Sequence, residues 1–125
     1  MVVQTSSKKS KSATYNFALD TGAIATYQSG IFVPARSVIT RFFVKVITAP
    51  LSGGAATVQW DLGAIPLLVP SVLGGFVVNT AVVGIDFNIN PTFLAAGTEV
   101  TFGIAVAVLT AGFIMCTIDY TEYSV

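Results

Sequence analysis

The chain has 125 residues, of which 54% are hydrophobic and 10% are charged, with six acidic and six basic side chains. This length predicts one domain that buries a core without disulfides or metals. Globular proteins usually carry roughly 25% charged residues. The few charged side chains of this chain therefore cover only a small part of its surface. The surplus of apolar side chains therefore predicts contact with another subunit or another protein.

The absence of histidine and the single cysteine, Cys116, exclude several classes of active site. They rule out Ser-His and Cys-His nucleophile pairs, a zinc site of Cys and His, and an intrachain disulfide. No phosphate-binding glycine loop, GxSxG sequence or EF-hand loop is present. We predict a protein that is not an enzyme and has no cofactor and no metal; calcium bound by loop aspartates stays an open alternative.

Residues 1 to 12 form a polar segment that holds Lys8, Lys9 and Lys11, half of the basic residues. We predict a flexible basic arm here, followed by a single β-sandwich domain over residues 13 to 125. The arm is either a solvated tail or a clamp on an acidic neighbour. Its lysines lack interleaved aromatic residues, so no nucleic acid is expected as a partner. If the arm is a clamp, deleting residues 1 to 12 weakens attachment and leaves the melting temperature nearly unchanged.

Apolar side chains alternate with a period of two along most of the remaining chain, which predicts strands. Val58, Trp60 and Leu62 share one side, and the same pattern places Cys116 and Tyr120 in the core. The predicted strands cover residues 13–19, 23–33, 37–48, 56–62 and 85–89, and a C-terminal hairpin joins residues 99–109 to 113–123 through Thr110-Ala111-Gly112. Seven or eight strands with frequent turns predict an all-β, antiparallel, jelly-roll-like sandwich.

Three stretches supply candidate contact residues. In the strand over 37–48, Arg41, Phe43 and Lys45 share one face with Ile39 and Ile47, opposite Val38, Phe42, Val44 and Val46. That face is either an ordinary outer surface covered by the stems of the cations or an interface, where Arg and aromatic residues are enriched. The uncharged central stretch, whose prolines and glycines argue against a membrane-spanning helix, adds Leu67, Leu68, Val69, Phe76, Val77 and Val78. Small side chains at 103, 105 and 107 allow close approach of a neighbour and form a further candidate.

Short phrases in order along most of the chain resemble a family of small structural proteins encoded by tailed bacteriophages. They are Phe17-Ala18-Leu19, Asp20-Thr21-Gly22-Ala23, Val33-Pro34-Ala35 after Gly30, Val38-Ile39-Thr40, Ala55-Ala56-Thr57-Val58, Ala95-Ala96-Gly97-Thr98-Glu99-Val100 and Leu109-Thr110-Ala111-Gly112. The resemblance implies a β-rich virion component of the head decoration, cement or fibre-base type, and it implies no catalytic residue.

Together these features predict a virion structural protein that decorates or cements a phage capsid through apolar contacts. We expect a homo-oligomer, with a trimer favoured, bound to the major capsid protein or another virion protein. It would be located in the virion after assembly in the host cytoplasm, without a membrane partner. A tail or baseplate component is one alternative, and a carbohydrate-binding β-sandwich module with an exposed aromatic platform is another.

Overall fold

In a computed structural model, which describes residues 5–84 and 92–124, the chain forms two packed antiparallel sheets. The strands are β1 (Thr5–Asn16), β2 (Ala25–Val33), β3 (Ser37–Leu51), β4 (Thr57–Leu62), β5 (Ile65–Val72), β6 (Ala81–Val83), β7 (Thr92–Leu94), β8 (Thr98–Ala105) and β9 (Ala111–Ser124). A helical turn, α1 (Phe17–Asp20), follows β1, and a 3-10 turn (Leu73–Gly75) follows β5. The strand predicted at 85–89 lies outside the described residues.

The strand order confirms the predicted jelly-roll-like sandwich. Sheet I has the order β1-β9-β3-β6, with the short β7 also paired to β3, and sheet II has the order β2-β8-β4-β5. The chain crosses repeatedly between the two sheets, as the strands of a jelly roll do. In the part of the chain that the structure describes, no helix is long and apolar enough to cross a membrane.

The core lies between the sheets and is centred on Trp60. Its ring centroid lies 4.6 Å from that of Phe102 and 6.2 Å from those of Phe42 and Phe76. Trp60 is only 2% exposed, which confirms the core position predicted from the alternation in β4. Fully burying a large apolar side chain stabilises the fold by about 1.5–3 kcal/mol, so this aromatic cluster holds the two sheets together.

The predicted C-terminal hairpin is wrong. β8 pairs with β2 and β4 in sheet II, whereas β9 pairs with β1 and β3 in sheet I, and residues 106–110 cross between the sheets. Alternation shows which side of a strand faces the core, but it does not show which strand lies beside it. Gly112 has φ +146°, and a Cβ there would lie 3.1 Å from Pro50 Cα, so glycine lets β9 start against β3.

A bulge in β3 corrects the predicted faces of two residues. Val38, predicted on the core side, is half-buried on the outer side in register with the exposed Phe93. The register with β9 shifts between Ile39 and Arg41, which places one extra residue, Thr40, in β3. Ile39 therefore points into the core with Phe42 and Val44, although strict alternation predicts the opposite face. The hydroxyl of Thr40 donates to the carbonyl of Asp119 at 3.1 Å.

Residues 5 to 12 differ from the predicted flexible arm, because they form most of β1. Each of them is in register with β9, from Thr5 opposite Ser124 to Ser12 opposite Thr117. A polar sequence can form a strand here because β9, more than a hundred residues away, supplies the hydrogen-bonding partners. Lysines are also common on edge strands, where they discourage pairing with another chain.

Candidate assembly surfaces

The edge strands β1 and β2 meet along one side of the sandwich, which we call the seam. The Lys11 Nζ donates to the carbonyl of Phe32 at 2.8 Å, and it lies 5.8 Å from the ring centroid of Tyr120. Lys11, predicted as a contact residue of a free arm, thus bonds the two sheets to each other. Its charged group has a partner within the chain.

Tyr15 closes the seam closer to the loops that follow α1. Its hydroxyl donates to the carbonyl of Thr21, and its ring centroid lies 4.8 Å from that of Phe102 and 6.0 Å from that of Tyr27. Burial, with smaller contributions from Tyr27 and Asp20, raises the pKa of Tyr15 to about 12. In the folded protein the Tyr15 hydroxyl therefore keeps its proton to a higher pH than an ordinary tyrosine does.

The other two lysines of the predicted arm lie apart from Lys11. Lys8 is in register with Thr121 and Lys9 with Tyr120, so their side chains leave β1 on opposite sides. Both line a shallow groove beside Thr40. The three lysines therefore do not form one cluster, and only Lys8 lies on the outer face of sheet I.

The predicted residues of β3 do share an exposed face. Arg41, Phe43 and Lys45 point outward from sheet I, and the Arg41 guanidinium carbon lies 4.4 Å from the Phe43 ring centroid. Such a cation–π contact is worth about 0.5–1 kcal/mol at an exposed site, so it orders Arg41 as well as covering the ring. Beside Phe43 in register, Thr117 is 6% exposed, and its hydroxyl lies 2.8 Å from that of Ser12.

The central stretch is only in part a surface. Leu67, Leu68 and Phe76 are buried in the core of this chain, so they do not contribute to an interface. Their burial follows from β5, which pairs with β4 through register shifts and brings Leu68 opposite Trp60. The exposed candidates of this stretch are Val69, Val77 and Val78.

The sequence analysis missed an apolar surface where the loops gather at one end of the sandwich. Six large apolar side chains there are between 51% and 81% exposed. We call this the loop-end surface; it consists of Leu19, Ile24, Leu51, Val72, Val106 and Val108. Burial of apolar surface is worth about 25 cal/mol per Å², and full burial of a large apolar side chain is worth about 1.5–3 kcal/mol. The ratio of these values gives the area of one side chain, and six partly exposed side chains together offer several hundred Å² of apolar surface. A patch of this size is about the largest that a typical soluble monomer exposes, and such patches are often functional.

Hydrogen bonds between three loops hold the loop-end surface in place. The Leu109 N–H donates to the Gly22 carbonyl at 2.8 Å, and the Thr110 N–H donates to the Leu51 carbonyl at 2.7 Å. The Ser52 hydroxyl donates to the Val108 carbonyl at 2.6 Å. Gly22 is needed at this junction, because a Cβ there would clash with the Leu109 backbone. The exposed valines and leucine are therefore fixed on the surface by their backbones.

Val106 stands in a strained turn at the tip of this surface. Its φ is +74°, and the Ala107 N–H donates to the Ala105 carbonyl at 2.9 Å, which together describe a γ-turn. A β-branched residue in this left-handed region is an outlier, and backbone strain of this kind clusters at functional sites. The turn presents an apolar side chain to solvent in a conformation that glycine would adopt more easily.

In the described ranges, the interior offers no cluster of side chains suited to metal binding. No group of three or more His, Cys, Asp or Glu residues lies close enough there to hold a metal ion. Burial raises the pKa of the Cys116 thiol, which disfavours the reactive thiolate. A cavity of about 120 Å³ beside the seam is lined by aromatic rings, but the buried Trp60 gives no flat platform for a sugar.

Comparison with solved structures shows the same fold in phage capsids. A chain in the acidic stable capsid of Helicobacter pylori bacteriophage KHP30 has a TM-score of 0.66 at 7% identity, covering 98% of this chain and 99% of that chain. A chain of the cyanophage Pam1 capsid has a TM-score of 0.59 at 14% identity, covering 94% and 86%. A chain of the Ralstonia phage GP4 capsid has a TM-score of 0.61 at 17% identity, covering 91% and 84%.

These identities are low, so the likeness concerns the fold. No protein-family model matches the chain, and a comparison with curated proteins gives no match. The resemblance to small β-rich phage structural proteins, drawn from short sequence phrases, is confirmed at the level of the fold.

Proposed function

We infer that this protein is a non-enzymatic structural component of a phage virion that decorates or cements the capsid. The loop-end surface is the observation that carries this proposal, because it is a fixed apolar patch that stays exposed among the described residues. The fold shared with chains of three phage capsids supports the virion assignment. The protein would be a homo-oligomer, with a trimer favoured, assembled in the host cytoplasm and bound to the major capsid protein or another virion protein.

Apolar contact alone can supply the attachment energy. Burying several hundred Å² of loop-end surface against a shell gives a gross hydrophobic term on the order of 10 kcal/mol. Part of this is lost to the cost of association, so a single contact is of modest strength. An oligomer that engages several shell subunits at once overcomes that limit by multivalency. The basic residue Lys8, exposed on β1, adds attraction to an acidic neighbour that weakens with salt.

The test is co-sedimentation with empty shells assembled from the major capsid protein of the phage that encodes the chain. Wild-type protein should bind saturably, at a fixed number of copies per shell. The double substitution Leu51→Asp/Val106→Asp should weaken binding about tenfold or more, because it places charges in a contact that must be dry. Its melting temperature should stay close to that of the wild type, since both side chains are exposed.

A second pair of substitutions serves as the matched comparison. Val69→Asp/Phe93→Asp changes two apolar residues of similar exposure outside the loop-end surface, because Val69 lies in β5 and Phe93 is in register with Val38, at the end of β3 opposite to Leu51. We expect this variant to bind shells like the wild type. Equal losses in both double variants would contradict the loop-end surface as the contact. Wild-type protein that never sediments with shells would overturn the proposed function itself.

A further inference from the structure

The two outer faces of the sandwich carry opposite charge. On the outer face of sheet I, the cations are Lys8, Arg41 and Lys45, and all three are exposed. The carboxylate of Asp119 is the acidic group on this face, in register with Arg41. Among the described residues of sheet I, three cations and one anion give this face a formal charge of +2.

The outer face of sheet II has the opposite sign. Its charged side chains are Asp61, in register with Thr101, and Glu99, in register with Phe32. Among the described residues of β2, β4, β5 and β8 there is no Lys or Arg, so this face has a formal charge of −2. The Gln59 amide donates to the Asp61 carboxylate at 3.0 Å, which fixes one of the two charges in place.

The shapes of the two outer faces are also complementary. Sheet I presents a ridge, with the Phe43 ring under Arg41 and the exposed Val83 in register beside it. Sheet II is low at Gly103 of β8, which has no side chain. The Gln59 stem lies against Gly103, 3.2 Å from the position that a Cβ would take. The exposed Phe32 stands beside Glu99 at one end of this face. A low area opposite an aromatic ridge permits close approach.

We propose that the outer face of sheet I in one copy stacks on the outer face of sheet II in the next copy. Arg41 and Lys45 of one copy then face Asp61 and Glu99 of its neighbour. Stacking sheet I on sheet I would bring like charges together, and so would stacking sheet II on sheet II, so the two-fold arrangements are disfavoured. A contact between two different faces is heterologous, and it yields a closed ring when the rotation between copies closes.

The available area favours a repeating contact over an isolated pair. Four strands about 4.8 Å apart and about eight residues long at ~3.3 Å each give a face of roughly 500 Å². One contact therefore buries roughly 1,000 Å² in total, at the lower limit of specific interfaces. The two outer faces lie on opposite sides of the sandwich, so the contact repeats as a stack unless the rotation between copies closes a ring. In either assembly an interior copy makes two such contacts, which a single pair lacks. This inference deepens the homo-oligomer part of the proposed function and requires no capsid.

Charge exchange between the faces tests the arrangement. Arg41→Glu/Lys45→Glu makes both faces negative, and Asp61→Lys/Glu99→Lys makes both faces positive. Each double variant should associate about tenfold or more weakly than the wild type, measured by light scattering behind a sizing column. The quadruple variant that carries all four substitutions exchanges the sign of both faces, so it should recover the wild-type oligomer. The wild-type oligomer should weaken as salt is raised.

A control variant separates face charge from net charge. Lys9→Glu/Arg36→Glu changes the net charge by the same amount as Arg41→Glu/Lys45→Glu, but neither residue lies on the outer face of sheet I. This control should associate like the wild type. Double variants with wild-type association, or a quadruple variant that stays monomeric, would overturn the face pairing. A monomeric wild type that still co-sediments with shells would overturn this inference and leave the proposed function standing.

Discussion

The seam and the loop-end surface are neighbouring parts of the molecule that differ in what their side chains contact. At the seam, Lys11 bonds across the gap between the sheets, Tyr15 bonds to the loop before β2, and aromatic rings fill the space behind them. At the loop end, backbone hydrogen bonds tie three loops together, yet the apolar side chains of Leu51, Val106 and Val108 remain in solvent.

This difference separates folding from assembly. The polar groups of the seam find their partners within one chain, so a change there should alter the free energy of unfolding. The side chains of the loop-end surface contribute little to the stability of the isolated protein, because they are already exposed. A change there should alter attachment and leave the fold intact. Substitutions in the two regions therefore test the comparison directly.

Removing residues 1 to 12 should give the largest effect on stability. The deletion takes away most of β1, its pairing with β9 and the Lys11 bond of the seam. Interstrand hydrogen bonds contribute about 0.5–1.5 kcal/mol each, partly offset by the entropy of the freed segment, so we expect a loss on the order of 2 kcal/mol. Urea unfolding measures it. An unchanged melting temperature would instead support the flexible arm that composition predicts.

The arm shows where sequence patterns stop being informative. Alternation correctly identifies the inward residues of β4 and β9, including Trp60 and Tyr120, because that signal is local. The pairing of β1 with β9 joins opposite ends of the chain, and the polar composition of residues 5 to 12 gives no sign of it. The bulge at Thr40 and the crossing of residues 106–110 between the sheets are likewise set by neighbours in space.

The candidate contact residues show the same contrast between local patterns, which the sequence reveals, and contacts that neighbours in space determine. The outward direction of Arg41, Phe43 and Lys45 was predictable, because β3 alternates regularly from residue 41 to residue 46. The loop-end surface was not, because its six residues come from four separate segments of the chain. The strand pattern assigned Val106 and Val108 to the core side, although β8 ends before them. Only the assembled loops bring these residues to one surface.

Tyr15→Phe should have an intermediate effect, and that effect should depend on pH. The raised pKa means that the folded protein holds this proton more tightly than the unfolded chain, in which the pKa is near 10. The stability it contributes is therefore complete below pH 10 and is lost as the pH rises towards 12. Tyr15→Phe removes one hydrogen bond, which costs about 1 kcal/mol at pH 7, and it should flatten the decline between pH 10 and 12.

Tyr27→Phe is the matched control for that measurement. It also removes a hydroxyl that donates to a backbone carbonyl, that of Ala23 at 2.8 Å. Urea unfolding at several pH values should show the alkaline decline in this variant and in the wild type. A Tyr15→Phe variant that declines as steeply as the wild type would mean that Tyr15 is not the group responsible.

Val106→Gly should give the smallest change in stability, and it tests the loop-end side of the comparison. Left-handed backbone costs an L-residue about 1–2 kcal/mol, while glycine adds about 0.5–1 kcal/mol of unfolded-chain entropy. The net effect should be a gain of roughly 0.5 kcal/mol, although the same change removes an exposed apolar side chain and should weaken attachment to shells. Val108→Gly lacks the positive φ, so it should weaken attachment and lower stability. A destabilised Val106→Gly variant would contradict the strain at this turn, and one that attaches like the wild type would remove Val106 from the contact. We therefore expect both variants to lose attachment, while Val106→Gly gains stability and Val108→Gly loses it. This combination is expected only if Val106 is held in its strained turn for assembly.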